Sequence, residues 1–293
     1  MTWRLVSSVE FLSFSKDSSL NMCVAEANYG FTAVPSSATA LLATDSPKIP
    51  APFTPVSQSP IPSTPLAQRI DVYTKAHLPE PTYNDCLRVY HYGLAIRQYR
   101  FPEWTFSDET YFLACLLHDI GTTKENMIAT KMSFEFYGGF IALDVLQNLG
   151  ASATASSAAV APRDQAESVA EAIIRHQDFH EKGNITALGQ LLQLATMFGM
   201  SRHNDSSFKI MPSREINNKL TCFLADNIGA WADLVHPSTI EDVCKHFPRL
   251  KWSHCFASTI REENSLKPWA HTTVLGEESP ARVMGNKLMA PYE

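Results

Sequence analysis

Three features of this 293-residue chain predict an all-α fold: apolar residues recurring at helical spacing in successive segments, a scarcity of the alternating pattern that marks strands, and an almost wholly apolar run over residues 111–117. That run stops at the adjacent pair His118 and Asp119. With 45% hydrophobic residues the chain can bury one substantial core. The expected architecture is a bundle of helices around one core, preceded by a poorly ordered N-terminal segment.

Residues 1–66 are rich in Ser, Thr, Ala and Pro, and residues 47–65 above all in Pro, a composition that cannot sustain a packed helix. They are expected to form a low-complexity tail or surface wrap, and residues 67–293 the folded domain. Leu66, Ile70, Tyr73 and Ala76 share one helical face, as do Leu87, Tyr90, Leu94 and Ile96 of the next segment, so two helices are predicted over 66–78 and 82–99. Ser107 reads as an N-cap, Asp108 and Glu109 complement the dipole of the first turn, and Gly121 supplies a stop, which predicts a helix over about 107–119. Phe136, Phe140, Val145 and Leu149 mark another over 132–149. The Ala/Ser tract of 151–161 is a loop. Helical patterning returns over 164–176 and, behind a Thr186 cap, over 187–198.

A formal charge of −6 gives no broad basic surface for nucleic acid, so a small-molecule substrate is expected. No apolar run is long enough to span a membrane, and Arg4 and Glu10 interrupt the N-terminal apolar stretch, which leads to the expectation of a cytoplasmic protein. The six cysteines lie far apart without paired spacing, so they are expected as reduced, mostly buried thiols. Apolar helical faces are compatible with a homodimer.

A carboxylate beside an apolar run costs several kcal/mol unless it is paired or bound to a metal. Asp119 therefore needs a partner. In isolation, the pair could equally be a carbonyl-bonded His and a capping Asp. His176 lies on the face of Val169, Ala172 and Ile173 and points inward, where it is either a satisfied core residue or a group that binds substrate, relays a proton or ligates metal.

Five separated motifs then carry a resemblance. They are Pro81-Thr82-Tyr83-Asn84 with Arg88-Val89-Tyr90; Leu116-Leu117-His118-Asp119-Ile120-Gly121-Thr122; Met132-Ser133-Phe134-Glu135 with Tyr137-Gly138-Gly139; Ala170-Glu171-Ala172-Ile173-Ile174-Arg175-His176; and Lys267-Pro268-Trp269-Ala270-His271-Thr272-Thr273. In this order they resemble the cyanamide hydratase family of fungal HD-domain proteins over most of residues 28–293. The resemblance implies an HD-domain helical fold, one zinc ion (Fe²⁺ and Mn²⁺ being less suited), and hydration of cyanamide, a small nitrile, to urea by a metal-activated water. It assigns His118, Asp119 and Asp226 as metal ligands and points to His176 as the catalytic residue. Thr122, Glu135, Lys267 and His271 lie in matched motifs and become candidate substrate-binding residues, although Lys267-Pro268-Trp269 could instead anchor the C-terminal segment over the core.

Two departures from the family stand out. Asp85 occupies the place of the family's first metal His; an aspartate can ligate zinc at about 2.0–2.2 Å, but its shorter reach requires the helix to move inward or the ligand to be lost. His91, six residues on, lies nearly on the opposite side of the helix and does not compensate. Residues 199–225 separate the helix ending at Phe198 from Asp226-Asn227-Ile228-Gly229, which follow it directly in the family, so they read as an insertion. Two other functions remain open on the sequence. One is nucleotide phosphohydrolysis, for which Lys124 and Lys131 supply positive charge; the other is a catalytically impaired protein whose site is weakened by Asp85 and the insertion.

Overall fold

The computed structural model describes residues 27–43, 49–148, 159–178, 182–200, 233–276, 279–286 and 288–293. Its helices are α1 (Ala38–Ala43), α2 (Pro65–His77), α3 (Glu80–Arg100), α4 (Asp108–Leu117), α5 (Lys124–Ala129), α6 (Phe134–Gln147), α7 (Arg163–Arg175), α8 (Ala187–Met200), α9 (Pro237–His246), α10 (Trp252–Leu266) and α11 (Ser279–Met284). Two three-residue strands, β1 (Ala33–Pro35) and β2 (Asn184–Thr186), pair antiparallel with Val34 opposite Ile185. The fold is all-α.

Three helices form the centre. Residues 85–96 of α3, 110–117 of α4 and 187–199 of α8 are buried without a break, as expected of helices enclosed on every side. Their composition dictates that placement: α4 and α8 are almost wholly apolar, and Gly93 lets α3 approach α4, where an added Cβ would lie 1.7 Å from the Tyr111 hydroxyl. Helix α7 packs on both α6 and α8. In α6 the inward row is Phe134, Gly138, Ala142 and Leu146, which leaves Phe140 exposed. A smaller apolar cluster of Phe134, Trp252, Phe256 and Ile260 joins α10 to the start of α6.

Helix starts follow their caps. Thr64 caps α2 by accepting from Ala67 N, Ser107 caps α4 by accepting from Thr110 N at 3.1 Å, and Thr186 accepts from Gly189 N at 3.1 Å at the start of α8. The end of α4 differs from expectation. The helix stops at Leu117 with His118 as C-cap, a 3₁₀ turn over Ile120–Thr122 follows, and Gly121 is needed for close packing: a Cβ there would lie 2.1 Å from the Phe134 carbonyl oxygen.

The wrap expected of residues 1–66 is seen in its described part, with one correction. Residues 38–43 do form a helix, because five of the six are the good helix formers Ala and Leu, and docking of Ala38 and Leu42 into the core stabilises a helix too short to persist alone. Elsewhere side chains stitch the strap down: Arg100 donates to Leu42 O, Tyr99 to Ile49 O and Tyr90 to Pro60 O, while Val56 N donates to Asp242 Oδ2. Helix α8 continues through Gly199 and Met200, two residues into the expected insertion; the rest of it, and Asp226, lie outside the described residues. Cys86, Cys115 and Cys244 are buried free thiols, and Cys255 is a half-buried one. Among the described residues no helix is long and apolar enough to cross a membrane.

Candidate metal centre

The centre forms where α4 ends against α3. His118, as C-cap, turns its ring so that Nδ1 lies 2.8 Å from the Cys115 carbonyl oxygen. A carbonyl only accepts, so Nδ1 carries the proton and Nε2 keeps a free lone pair, the tautomer a metal ligand requires. Asp119 follows at 1% exposure with Oδ2 3.4 Å from His118 Nε2, while its Oδ1 has no hydrogen-bond partner. Burial raises the Asp119 carboxyl above the usual carboxylate range; His118 opposes the shift and Asp85 and Glu135 add to it. A carboxylate left in this condition is ready for a cation.

Asp85 completes the group. One ligand atom from each of Asp85, His118 and Asp119 lies within 4.8 Å of the others, and all three residues are buried. The shorter aspartate side chain therefore does reach the cluster. It is held by Arg88, three residues on and fully buried, whose Nη2 donates to Asp85 Oδ1 at 2.7 Å while Nη1 donates to the carbonyls of Phe247 and Pro248. The guanidinium offsets one negative charge beside the site. His91 stays outside the cluster, stacked on Phe247.

A narrow cavity of about 10 Å³ adjoins the triad, room for little more than one water or one ion. Its remaining polar lining is His176, Gln177 and Thr196, and its apolar wall is Met200, Trp252 and Phe256. No Lys or Arg appears among the described lining residues. His176 meets His118 edge to face with ring centroids 5.4 Å apart, and its Nδ1 donates to Ile173 O at 2.6 Å. Burial, then the neighbouring His118, lowers its pKa to about 3, so the ring is neutral and Nε2 is an acceptor.

No family model matches the chain. Over 258 residues, 88% of this chain and 96% of theirs, it is 37% identical to the cyanamide hydratases DDI2 and DDI3 of Saccharomyces cerevisiae. The chain belongs to the cyanamide hydratase family.

Within this cyanamide hydratase family member, the other candidate residues from the sequence sit beside the cavity instead of in its wall. Thr122 is half-buried and its hydroxyl donates to the Asp119 carbonyl at 2.6 Å, bracing the turn behind the ligand. Glu135, Lys267 and His271 belong to a clamp between α10 and the start of α6. Lys267 Nζ donates to Met132 O at 2.6 Å, Trp269 Nε1 to Lys131 O, His271 N to Ser133 Oγ, and Phe134 N to Glu263 Oε1 at 2.7 Å. Thr272 bonds Glu263 as well. Anchoring is thus the arrangement in which Lys267 is found. His271 Nδ1 lies 2.6 Å from Glu135 Oε1, and that bond, working against burial, raises the His271 pKa. Sequence reasoning missed Gln177 as a wall residue, and Thr196, Met200, Trp252 and Phe256 with it. The two pairs Thr196/Met200 and Trp252/Phe256 are each spaced i, i+4 on one helix, a signal shared with any core face.

Proposed function

We propose that this chain hydrates cyanamide to urea with one divalent cation, zinc in preference to Fe²⁺ or Mn²⁺, held by His118, Asp119, Asp85 and, from beyond the described residues, Asp226. The observation that carries the reading is the buried Asp85-His118-Asp119 group with an unpartnered Asp119 oxygen, in a chain whose relatives are named cyanamide hydratases. The donor set fits: one imidazole nitrogen in the ligand tautomer and two carboxylates within reach of one ion. A bound cation supplies Lewis acidity that brings the pKa of water towards about 7, so that a nucleophile exists at neutral pH.

The protein's own groups do the rest. Hydration adds water oxygen to the nitrile carbon and a proton to the nitrile nitrogen, and the resulting isourea tautomerises to urea. Neutral His176, its Nδ1 held by the Ile173 carbonyl, lines the cavity where Nε2 can accept a hydrogen bond from the attacking water and orient it as its proton moves to the nitrile nitrogen. Trp252, Phe256 and Met200 form an apolar wall that limits access of bulk water. The phosphates of a nucleotide would meet Asp85 and Asp119 without a facing Lys or Arg, since Lys124 and Lys131 are exposed and outside the lining.

The test measures bound metal and product on one purified sample. About one zinc per chain, with urea formed from cyanamide, lost on chelation and restored by zinc, is the expected result. Phosphate release from nucleotides would favour phosphohydrolysis, and a protein that takes up no metal would mark an impaired descendant; either would end this reading.

A further inference from the structure

Gln177 follows His176 directly at the end of α7, and the hydration chemistry above leaves it without a task. It is 3% exposed, lines the cavity, and its Oε1 has no hydrogen-bond partner. A buried amide oxygen left unsatisfied is costly, and cores rarely keep one unless a ligand completes it. Its position is fixed from behind. Gln193 of α8 donates through Nε2 to the carbonyls of Arg175 at 2.7 Å and Asp178 at 2.9 Å, pinning the chain on both sides of Gln177. The pinned turn fixes the backbone that carries this amide.

Resting on the hydration reading, we propose that Gln177 is the specificity-determining residue of the site: its Oε1 accepts a hydrogen bond from the amino group of the substrate, selecting nitriles that carry N–H over those that do not. Cyanamide has a nitrile at one end and an NH₂ donor at the other. The triad and Gln177 line the same cavity, one offering ligand atoms for the ion at the nitrile end and the other an acceptor for the amino end. Alkyl nitriles and fully N-alkylated cyanamides leave Oε1 unpaired. A site built for a polar group rejects analogues lacking it far more strongly than an apolar pocket rejects a missing methylene.

The experiment compares zinc-loaded, full-length wild type with Gln177→Met, of similar length but without an oxygen acceptor, and Gln177→Glu, which keeps one. Substrates are cyanamide, methylcyanamide with one N–H, and dimethylcyanamide with none. The Met variant should lose about 10- to 100-fold in kcat/KM on cyanamide and methylcyanamide, with dimethylcyanamide changed by less than about twofold; the Glu variant should keep the wild-type order of substrates. An equal fall on all three substrates, or no change, overturns the assignment. Saturation-transfer NMR with the same compounds separates this from the hydration reading. If wild type makes no urea, that reading fails, while preferential binding of cyanamide over dimethylcyanamide, lost in the Met variant, still supports the role of Gln177; absence of any such preference overturns it.

Discussion

Two buried polar clusters lie side by side in this protein and differ in how fully they are satisfied. In the clamp, the carboxylate of Glu263 accepts from Phe134 N and Thr272, and Lys267 donates to Met132 O with Glu263 3.6 Å away. Nearly every polar atom there has a protein partner, Glu135 Oε2 being the exception. At the metal centre, Asp119 Oδ1 and Gln177 Oε1 have none. Both clusters are largely shielded from solvent, so exposure does not separate them. Of these two clusters the saturated one ties elements of the fold together, and the one with open valences lines the cavity.

This contrast can be broken first at the clamp, where the largest change is expected. Glu263→Ala removes the acceptor for Phe134 N and Thr272 and strands buried Lys267, so unfolding stability should fall by about 3–5 kcal/mol. An unfolding free energy from denaturant titration lowered by less than about 1 kcal/mol would deny the clamp its structural role. The reverse holds at the centre. Asp119→Asn keeps the shape and removes the charge; urea formation should drop by more than about 100-fold, the upper range for losing a group one step removed from a metal. Stability of the metal-free protein should hold or rise, because burial already disfavours the ionised Asp119. A metal-free Asp119→Asn variant that unfolds far more readily than wild type would show that the centre is structural too.

The same contrast explains how much could be read from the chain. Helices α2 to α4 and α6 to α8 follow apolar spacing and caps, which are local properties, so their ends lie within about two residues of the sequence reading. His118 and Asp119 were legible because a charged pair at the end of an apolar run has few stable fates. Partnership was not legible. Lys267 and His271 look the same in sequence whether they touch substrate or backbone, and only the carbonyl of Met132 and the carboxylate of Glu135 decide between the two. The β1–β2 pairing joins segments about 150 positions apart with one buried side chain each, Val34 and Ile185, and three residues are too few for an alternating pattern to be read. Arg88 beside Asp85 is the instructive case. Their i, i+3 spacing is visible in the sequence, and the ion pair explains how a buried carboxylate is tolerated at this position.

A sharper test of the centre uses the segment that separates Asp226 from α8. Thr196 and Met200 lie four residues apart and both face the cavity. Excising residues 199–225 joins Phe198 to Asp226, which places that carboxylate three positions after Thr196 on the same helical face. Zinc affinity measured by chelator competition should then rise by about 10- to 100-fold. Because Asp85 already reaches the cluster, Asp85→His should add little alone. The rise should vanish when Asp226→Ala is made in the excised, folded protein; a rise that survives that substitution would remove Asp226 from the ligand set.

The smallest expected effect concerns His91, a buried group that belongs to neither cluster. Both its ring nitrogens lack protein partners, its ring stacks on Phe247 at 5.1 Å, and burial, then His246, lowers its pKa from 6.5 to about 4, with Asp242 opposing. A histidine whose folded pKa is depressed favours the fold fully above its unfolded value and loses that contribution as pH falls towards the folded one. Its share is therefore intact above about 6.5 and lost progressively between 6.5 and 4. His91→Leu should flatten the acid side of the stability profile, removing roughly 1 kcal/mol of the difference between about pH 8 and about pH 5.5. Urea formation at about pH 8 should be unaffected, since His91 lies outside the triad and the cavity lining. An unaltered slope would mean that His91 is protonated in the fold, and that an open valence away from the centre need not wait for a ligand to be satisfied.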